Sequence, residues 1–288
     1  MIRRMIQLIT AIGINSYLIG FLNGSIYKGN LKKICVPGLN CSSCPGAWGS
    51  CPLAMLQNAV VEISMGKFSL FILGFLFLTG LIMGRFACGW LCPFGLLQEL
   101  IFKVPLPKVR LKESFKRFEY LKYGILILFI FILPAFAVYG VSETAFCKYI
   151  CPVEVIEANF PLILARPSLI RVMGILFKWK LFLLLIILLM SAVIFKPFCR
   201  FICPLGAIYA LFNPVSLYHF QVERAKCISC AQCLKKCKLG ITVFNDPNNR
   251  ECMRCNECLE CPTQALRIKR FWNPTQVLIG KNFWKKSS

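Results

Sequence analysis

The chain has 288 residues, of which 57% are hydrophobic and 16% charged, with a mean hydropathy of +0.66. A soluble domain cannot hide that much apolar surface, so composition excludes an ordinary soluble protein and points to lipid as the main partner. Lys and Arg outnumber Asp and Glu by 34 to 12, a formal net charge of +22; with no nucleic-acid motif present, this reads as the basic loops of a membrane protein, and no nucleic acid is expected as a partner.

Four stretches have spanning length and almost no internal charge. The first, Met5 to Leu22, follows Arg3-Arg4 and is diluted by Asn15, Ser16 and glycines; it reads as an uncleaved anchor, since no small-residue cleavage site follows. The second is Phe68 to Gly84. The third, Leu121 to Gly140, contains Pro134, which a membrane helix tolerates as a kink. The fourth, Leu181 to Phe195, is short and is expected to borrow residues from Val172 to Trp179. Segments Arg85–Lys122 and Lys196 onward carry eight and fifteen Lys/Arg, against four in Asn23–Lys67 and five in Val141–Lys180. The positive-inside rule then places the N-terminus and everything after Lys196 in the cytoplasm, as a multi-pass protein of the inner (cytoplasmic) membrane. The sequence divides into a membrane domain at 1–220, a cysteine-dense polar domain at 221–270 and a basic aromatic tail at 271–288. Trp90, Trp179, Trp272 and Trp284 are expected at the water–lipid boundary.

Eighteen cysteines in a chain that is no small secreted scaffold favour metal or redox chemistry over a disulfide framework. His219 is the only histidine, which excludes a membrane haem held by two imidazoles. The strongest motif is Cys227-x2-Cys230-x2-Cys233-x3-Cys237, followed by Cys252-x2-Cys255-x2-Cys258-x2-Cys261-Pro262. Triplets at x2 spacing wrap an iron–sulfur cube, and the fourth cysteine of each run reaches the other cluster. Zinc modules instead use cysteine pairs separated by a longer spacer. Two [4Fe–4S] clusters are therefore expected: one on Cys227, Cys230, Cys233 and Cys261, the other on Cys252, Cys255, Cys258 and Cys237. The run from about Glu223 to Arg270 resembles the bacterial dicluster ferredoxin, an α+β fold. It departs from that pattern at Lys238, where proline is usual, and in having only Leu259 and Glu260 before Cys261.

Within the membrane domain one pattern occurs three times: Cys88-x3-Cys92-Pro93, Cys147-x3-Cys151-Pro152 and Cys199-x3-Cys203-Pro204. A separation of four puts two thiols on one helix face, and the proline suits the start of a following helix with the second cysteine near its N-cap. Amides at such a helix start favour an anionic thiolate–metal centre. The expected topology places Cys88, Cys92, Cys199 and Cys203 together on the inside. Cys147 and Cys151 fall on the outside, facing the loop with Cys35, Cys41, Cys44 and Cys51. Each half then supplies an outer and an inner group, a parallel two-fold repeat. Buried cysteine is also an ordinary small hydrophobe, and the outer group could form disulfides. Thiolate ligands suit Fe–S, Zn or Cu(I) alike.

The runs Phe86 to Gly95 and Phe198 to Gly206, with the ferredoxin motif behind them, resemble the membrane polyferredoxins of the NapH/NosR/CcoG type. That resemblance implies a mainly α fold of about four membrane helices plus a dicluster domain. It also implies an electron carrier between the membrane, with quinol as a candidate donor, and a redox partner protein; in the CcoG branch it implies copper reduction for oxidase assembly. A redox-sensing regulatory role is a third reading. No substrate pocket is visible, so an electron-transfer subunit is expected and not a stand-alone enzyme. Glu99 reads as a surface carboxylate, with a proton-accepting role toward quinol as the alternative. Lys235, Lys236, Lys238, Arg250 and Arg254 read as a solvated basic face, with docking of an acidic partner as the alternative.

Overall fold

The computed structural model describes residues 2–66, 70–110, 113–136, 144–168 and 174–269; the expected tail at 271–288 lies outside the described residues. The described chain is mainly helical, with one two-stranded sheet near its end.

The first expected span is broken into α1 (Ile2–Ile14) and α2 (Leu18–Asn23). Asn15, at the break, turns its side-chain amide back to Ala11 O (3.1 Å) and across to Asn40 Oδ1 (3.0 Å). Such local bonds compete with the helix ladder. α1 is amphipathic with its polar side inward. Arg3 and Gln7 are buried, while Ile2, Met5, Leu8, Ile9 and Ile12 are exposed. This reverses the pattern of a soluble helix and suits a lipid-facing apolar side.

After α3 (Pro52–Ser64) comes α4 (Phe71–Met83), the second expected span, only thirteen residues long as a helix. The described helices of full spanning length are Arg117–Ala135 and Ile175–Val193, nineteen residues each. At 1.5 Å per residue either is about 28 Å long, close to the roughly 30 Å of a hydrocarbon core. The second of these begins at Ile175, so the fourth expected span does extend upstream as the sequence suggested. Pro134 is accommodated by a π-helical stretch at Leu126–Ile132, and Pro161 follows another at Val155–Asn159. A proline has no N–H and its ring crowds the carbonyl four residues back, so a widened turn relieves both. Leu73, Phe77, Ile127, Phe131, Phe182, Leu185 and Leu189 stand exposed on these helices, an apolar surface fit for lipid.

Residues 208–220 are mixed: Tyr209, Ala210, Asn213, Ser216 and Phe220 are buried, while Leu211, Val215 and Leu217 are exposed. The helix Pro204–Phe212 buries Ala207, Tyr209 and Ala210 completely. The polar domain begins at β1 (His219–Val222), which pairs antiparallel with β2 (Leu266–Lys269) in the register Phe220↔Ile268 and Val222↔Leu266. This pairing closes the cysteine-dense stretch into one loop-rich unit.

Candidate metal centres

All three Cys-x3-Cys-Pro motifs adopt one turn. A five-residue helix carries the first cysteine: α5 (Phe86–Trp90), Ala145–Tyr149 and Pro197–Phe201. Each ends before the second cysteine, whose amide reaches back five residues: Cys92 to Ala87 O (3.1 Å), Cys151 to Phe146 O (3.0 Å) and Cys203 to Phe198 O (2.9 Å). The paired cysteines therefore do not share one helix face. Proline disfavours helix at the residue before it, and Cys92 and Cys203 are extended and start the next helix. There they act as N-caps. Cys92 Sγ accepts from Gly95 N in α6 (Pro93–Ile101), and Cys203 Sγ accepts from Gly206 N, each at 3.4 Å.

Cys88, Cys92, Cys199 and Cys203 are buried and lie within electrostatic reach of one another in all pairings. This is the inner group the sequence expected. Cys51, Cys147 and Cys151 gather in the same way as a second group, and Cys41 joins them beside Cys151. Cys44 Sγ lies 3.5 Å from Asn15 Oδ1 while its amide donates to Cys41 O (3.1 Å), and Cys35, within reach of Cys51, has its Sγ 3.0 Å from Met55 Sδ. All eighteen cysteines are free thiols, so the disulfide alternative for the outer group has no bond behind it.

The loop between Cys35 and Cys41 runs between the two groups. Residues 35 and 50 pair as an isolated bridge. Gly38 then packs so closely on the inner turn that an added Cβ would lie 3.0 Å from Cys92 Cα. The Leu39 amide faces the Cys92 sulfur, the Asn40 amide faces the Cys51 sulfur, and Cys41 N donates to Glu157 Oε2 (2.6 Å). Three Cα steps of about 3.8 Å from Gly38 to Cys41 put the Cα atoms of Cys41 and Cys92 within about 16 Å.

In the polar domain Cys237, Cys252, Cys255 and Cys258 also lie within mutual reach, as the crossed assignment expects. Cys227 and Cys233 are neighbours. Cys261 lies near Thr263, Ala265 and Leu266, and hydrogen bonding from the Thr263 hydroxyl holds its thiol below the usual range against a small opposing effect of burial. The two cysteine loops share an unusual backbone. Ser229 and Ala231 in one, Arg254 and Asn256 in the other, all have φ between 50° and 65°. Left-handed residues at matched positions turn amides toward the interior of each loop, a nest that suits an anionic sulfur-rich group. The donor set and these amides fit iron–sulfur clusters at the polar-domain cysteines. The helix-start amides fit them at the membrane cysteines. Among the described residues no three Cys, His, Asp or Glu side chains converge on a single-ion position.

The polar domain is docked on the inner turn. A Cβ on Gly89 would lie 2.3 Å from Met253 O, Trp90 Nε1 donates to Arg254 O (2.9 Å), and Asn213 Nδ2 donates to Cys252 O (2.7 Å). Trp90 is thus a docking residue. Arg254, expected on a solvated face, is buried and donates to Asn213 O (2.6 Å). Buried ion pairs reinforce the joint. Glu251 takes both Arg85 and Lys122; burial alone would raise its carboxyl, but the two cations hold it below the usual range. Glu99 is likewise buried, between Arg3 and Lys196, which corrects the expectation of a surface carboxylate. Arg3 also reaches Glu257 (3.1 Å), tying α1 to the polar domain.

Residues 65–112, 123–156 and 179–220 match the family model described as a 4Fe-4S binding domain. Those segments contain the three Cys-x3-Cys-Pro turns and not the cysteines after Cys227. The uncharacterized protein MJ0750 of Methanocaldococcus jannaschii is 29% identical over 75% of this chain and 84% of its own length. The ferredoxin-type protein NapH of Haemophilus influenzae is 27% identical over 60% of this chain and 58% of its own. The regulatory protein NosR of Pseudomonas aeruginosa is 29% identical over 60% of this chain, but only 22% of that longer protein is covered. The chain is thus similar to the NapH/NosR-type 4Fe–4S ferredoxin-like membrane proteins. The 4Fe-4S match and these relatives support an iron–sulfur electron-transfer role. No solved structure matches it.

Proposed function

We propose that the chain passes single electrons along four iron–sulfur centres in fixed order. The outer centre belongs to Cys41, Cys51, Cys147 and Cys151, and the inner to Cys88, Cys92, Cys199 and Cys203. The next belongs to Cys237, Cys252, Cys255 and Cys258, and the last to Cys227, Cys230, Cys233 and Cys261. The observation that carries this order is the contact of Gly89, inside the Cys88–Cys92 turn, with Met253, inside the Cys252–Cys255 loop. Bound clusters supply one-electron storage; the protein supplies burial, amide donors and spacing. Cys230 and Ile228 are exposed at the far end, beside Lys226, Lys235 and Lys236. That face suits a partner protein with an acidic docking surface.

The reading keeps a membrane domain at 1–220 as a multi-pass parallel repeat, a cluster domain at 221–270 on the cytoplasmic side of the inner membrane, and a tail at 271–288. The uneven basic loops support this orientation. Quinol as membrane donor rests on the resemblance alone, because Glu99, the carboxylate suited to serve it, is engaged by Arg3 and Lys196. A second reading, copper handling at the outer end, is favoured by the Cys35–Met55 sulfur pair, soft donors of the kind Cu(I) prefers.

Iron, acid-labile sulfide and copper analysis with EPR on anaerobic protein tests both readings. About sixteen irons per chain, at four per centre, are expected, with one centre lost in Cys88→Ser and another in Cys147→Ser. Iron counts unchanged by both variants would leave only the polar-domain clusters, and stoichiometric copper would favour the second reading.

A further inference from the structure

Cys51-Pro52 and Cys92-Pro93 each lead into a helix that carries a glutamine six residues after the cysteine. Gln57 and Gln98 are both fully buried. Gln98 Oε1 accepts from Phe198 N (3.1 Å), while its Nε2 donates to Cys199 Sγ (3.3 Å) and to Phe94 O (3.4 Å). Gln57 repeats the arrangement at the outer end. Its Oε1 accepts from Phe146 N (2.9 Å), and its Nε2 donates to Cys147 Sγ (3.5 Å) and to Leu53 O (3.2 Å). The amide orientation follows from its neighbours. A flipped amide would set its oxygen against a carbonyl and a sulfur, and its NH2 against a backbone N–H. Each glutamine therefore presents an N–H to the first cysteine of the turn supplied by the other half of the membrane domain.

A hydrogen bond to a ligand sulfur withdraws electron density and stabilises the reduced, more negative cluster. We infer that Gln57 sets the reduction potential of the outer centre and Gln98 that of the inner centre, each independently of the other. This rests on the reading that these thiols hold iron–sulfur clusters.

The test is an EPR-monitored redox titration of the full chain in detergent, comparing wild type with Gln98→Glu and Gln57→Glu. Glutamate keeps the oxygen that receives the backbone N–H and removes the donor to sulfur. Gln98→Glu is expected to move the inner midpoint to more negative potential and leave the outer unchanged; Gln57→Glu should do the converse. Gln98→Met and Gln57→Met, uncharged and of similar length, carry the same expectation where the glutamate variant loses its cluster. Midpoints that stay in place, or that move together in either variant, overturn the inference. So does a site emptied by both substitutions, which would make the glutamine a clamp on the fold. Wild-type protein without the two membrane centres would instead sink the cluster reading beneath it.

Discussion

The inner site takes two thiols from each of two matching Cys-x3-Cys-Pro turns, whereas the outer site combines one such turn with Cys41 and Cys51 from an irregular loop. Their surroundings differ in charge as well. Around the inner thiols Arg85 donates to Cys199 O (2.8 Å) and Lys196 to Cys88 O (3.3 Å). Around the outer thiols Glu154 is paired with Lys180 (2.6 Å), which also acts on Cys147, while Glu157, bonded to Cys41 N, has no paired cation among the described residues. A reduced cluster carries one more negative charge, so cations stabilise it and anions oppose it. The same ligand set is thus placed in two fields, and the inner centre should hold the higher midpoint in a titration that resolves both. An outer midpoint above the inner would break this account of the difference.

The largest effect separates thiols inside the groups from those beside them. Cys88→Ser should lose one centre, about four irons per chain, because Cys88 faces all three of its inner companions. Cys44→Ser should keep the full load, since the Cys44 sulfur faces Asn15 Oδ1. Equal losses in iron and sulfide analysis would mean that the outer group is larger than four.

The next effect compares two carboxylates. Glu99 is buried between Arg3 and Lys196, and Glu99→Gln leaves the buried Lys196 without its carboxylate and Arg3 with Glu257 alone. Removing one partner of a buried pair costs about 3–5 kcal/mol. Glu157 makes no ion pair among the described residues, and Glu157→Gln keeps an oxygen for Cys41 N; about 1 kcal/mol or less is expected. Thermal midpoints in detergent should fall for Glu99→Gln and barely move for Glu157→Gln.

Much of this was legible in the cysteines alone. The triplet spacing brought Cys252, Cys255 and Cys258 to Cys237, and the repeated Cys-x3-Cys-Pro brought Cys88 and Cys92 to Cys199 and Cys203. What hydropathy could not show was the inward side of α1, where a sliding window averages Arg3 and Gln7 with their apolar neighbours. Nor does composition separate a solvated basic residue from one committed to a domain joint. Arg254 and Glu99 looked like surface charges because their partners Asn213, Arg3 and Lys196 are distant in the chain. Gln57 and Gln98 did carry a signal. The spacing Cys-Pro-x4-Gln occurs twice, but a neutral amide in an apolar run draws no attention without its sulfur partner in view.

A smaller effect tests the joint that only the inner site has. In Gly89→Ala the new methyl would lie 2.3 Å from Met253 O, a backbone atom that cannot swing aside. Repacking of this kind costs about 1–3 kcal/mol. Faster hydrogen exchange across residues 252–258 is expected, with slower re-equilibration between the inner centre and its neighbour after flash reduction. Unchanged exchange there would show that the polar domain is held by its ion pairs and hydrogen bonds without this close packing.

The smallest effect concerns the loop between the two sites. Tyr209 is completely buried, and its hydroxyl donates to Pro37 O (3.1 Å), just before the residue that touches Cys92. Tyr209→Phe removes that bond from a half-buried carbonyl, together with a long contact to Thr79 Oγ1 (3.5 Å), at a cost of about 1 kcal/mol. The loop keeps its other anchors, the pairing of residues 35 and 50 and the Cys41–Glu157 bond. Both centres should therefore persist at full iron content with a slightly lower thermal midpoint. Loss of the outer centre alone would mean that the hydroxyl holds Cys41 in place from the far side of the loop. Loss of both would mean that Pro37 to Cys41 is a shared wall, so that the two sites are built as one.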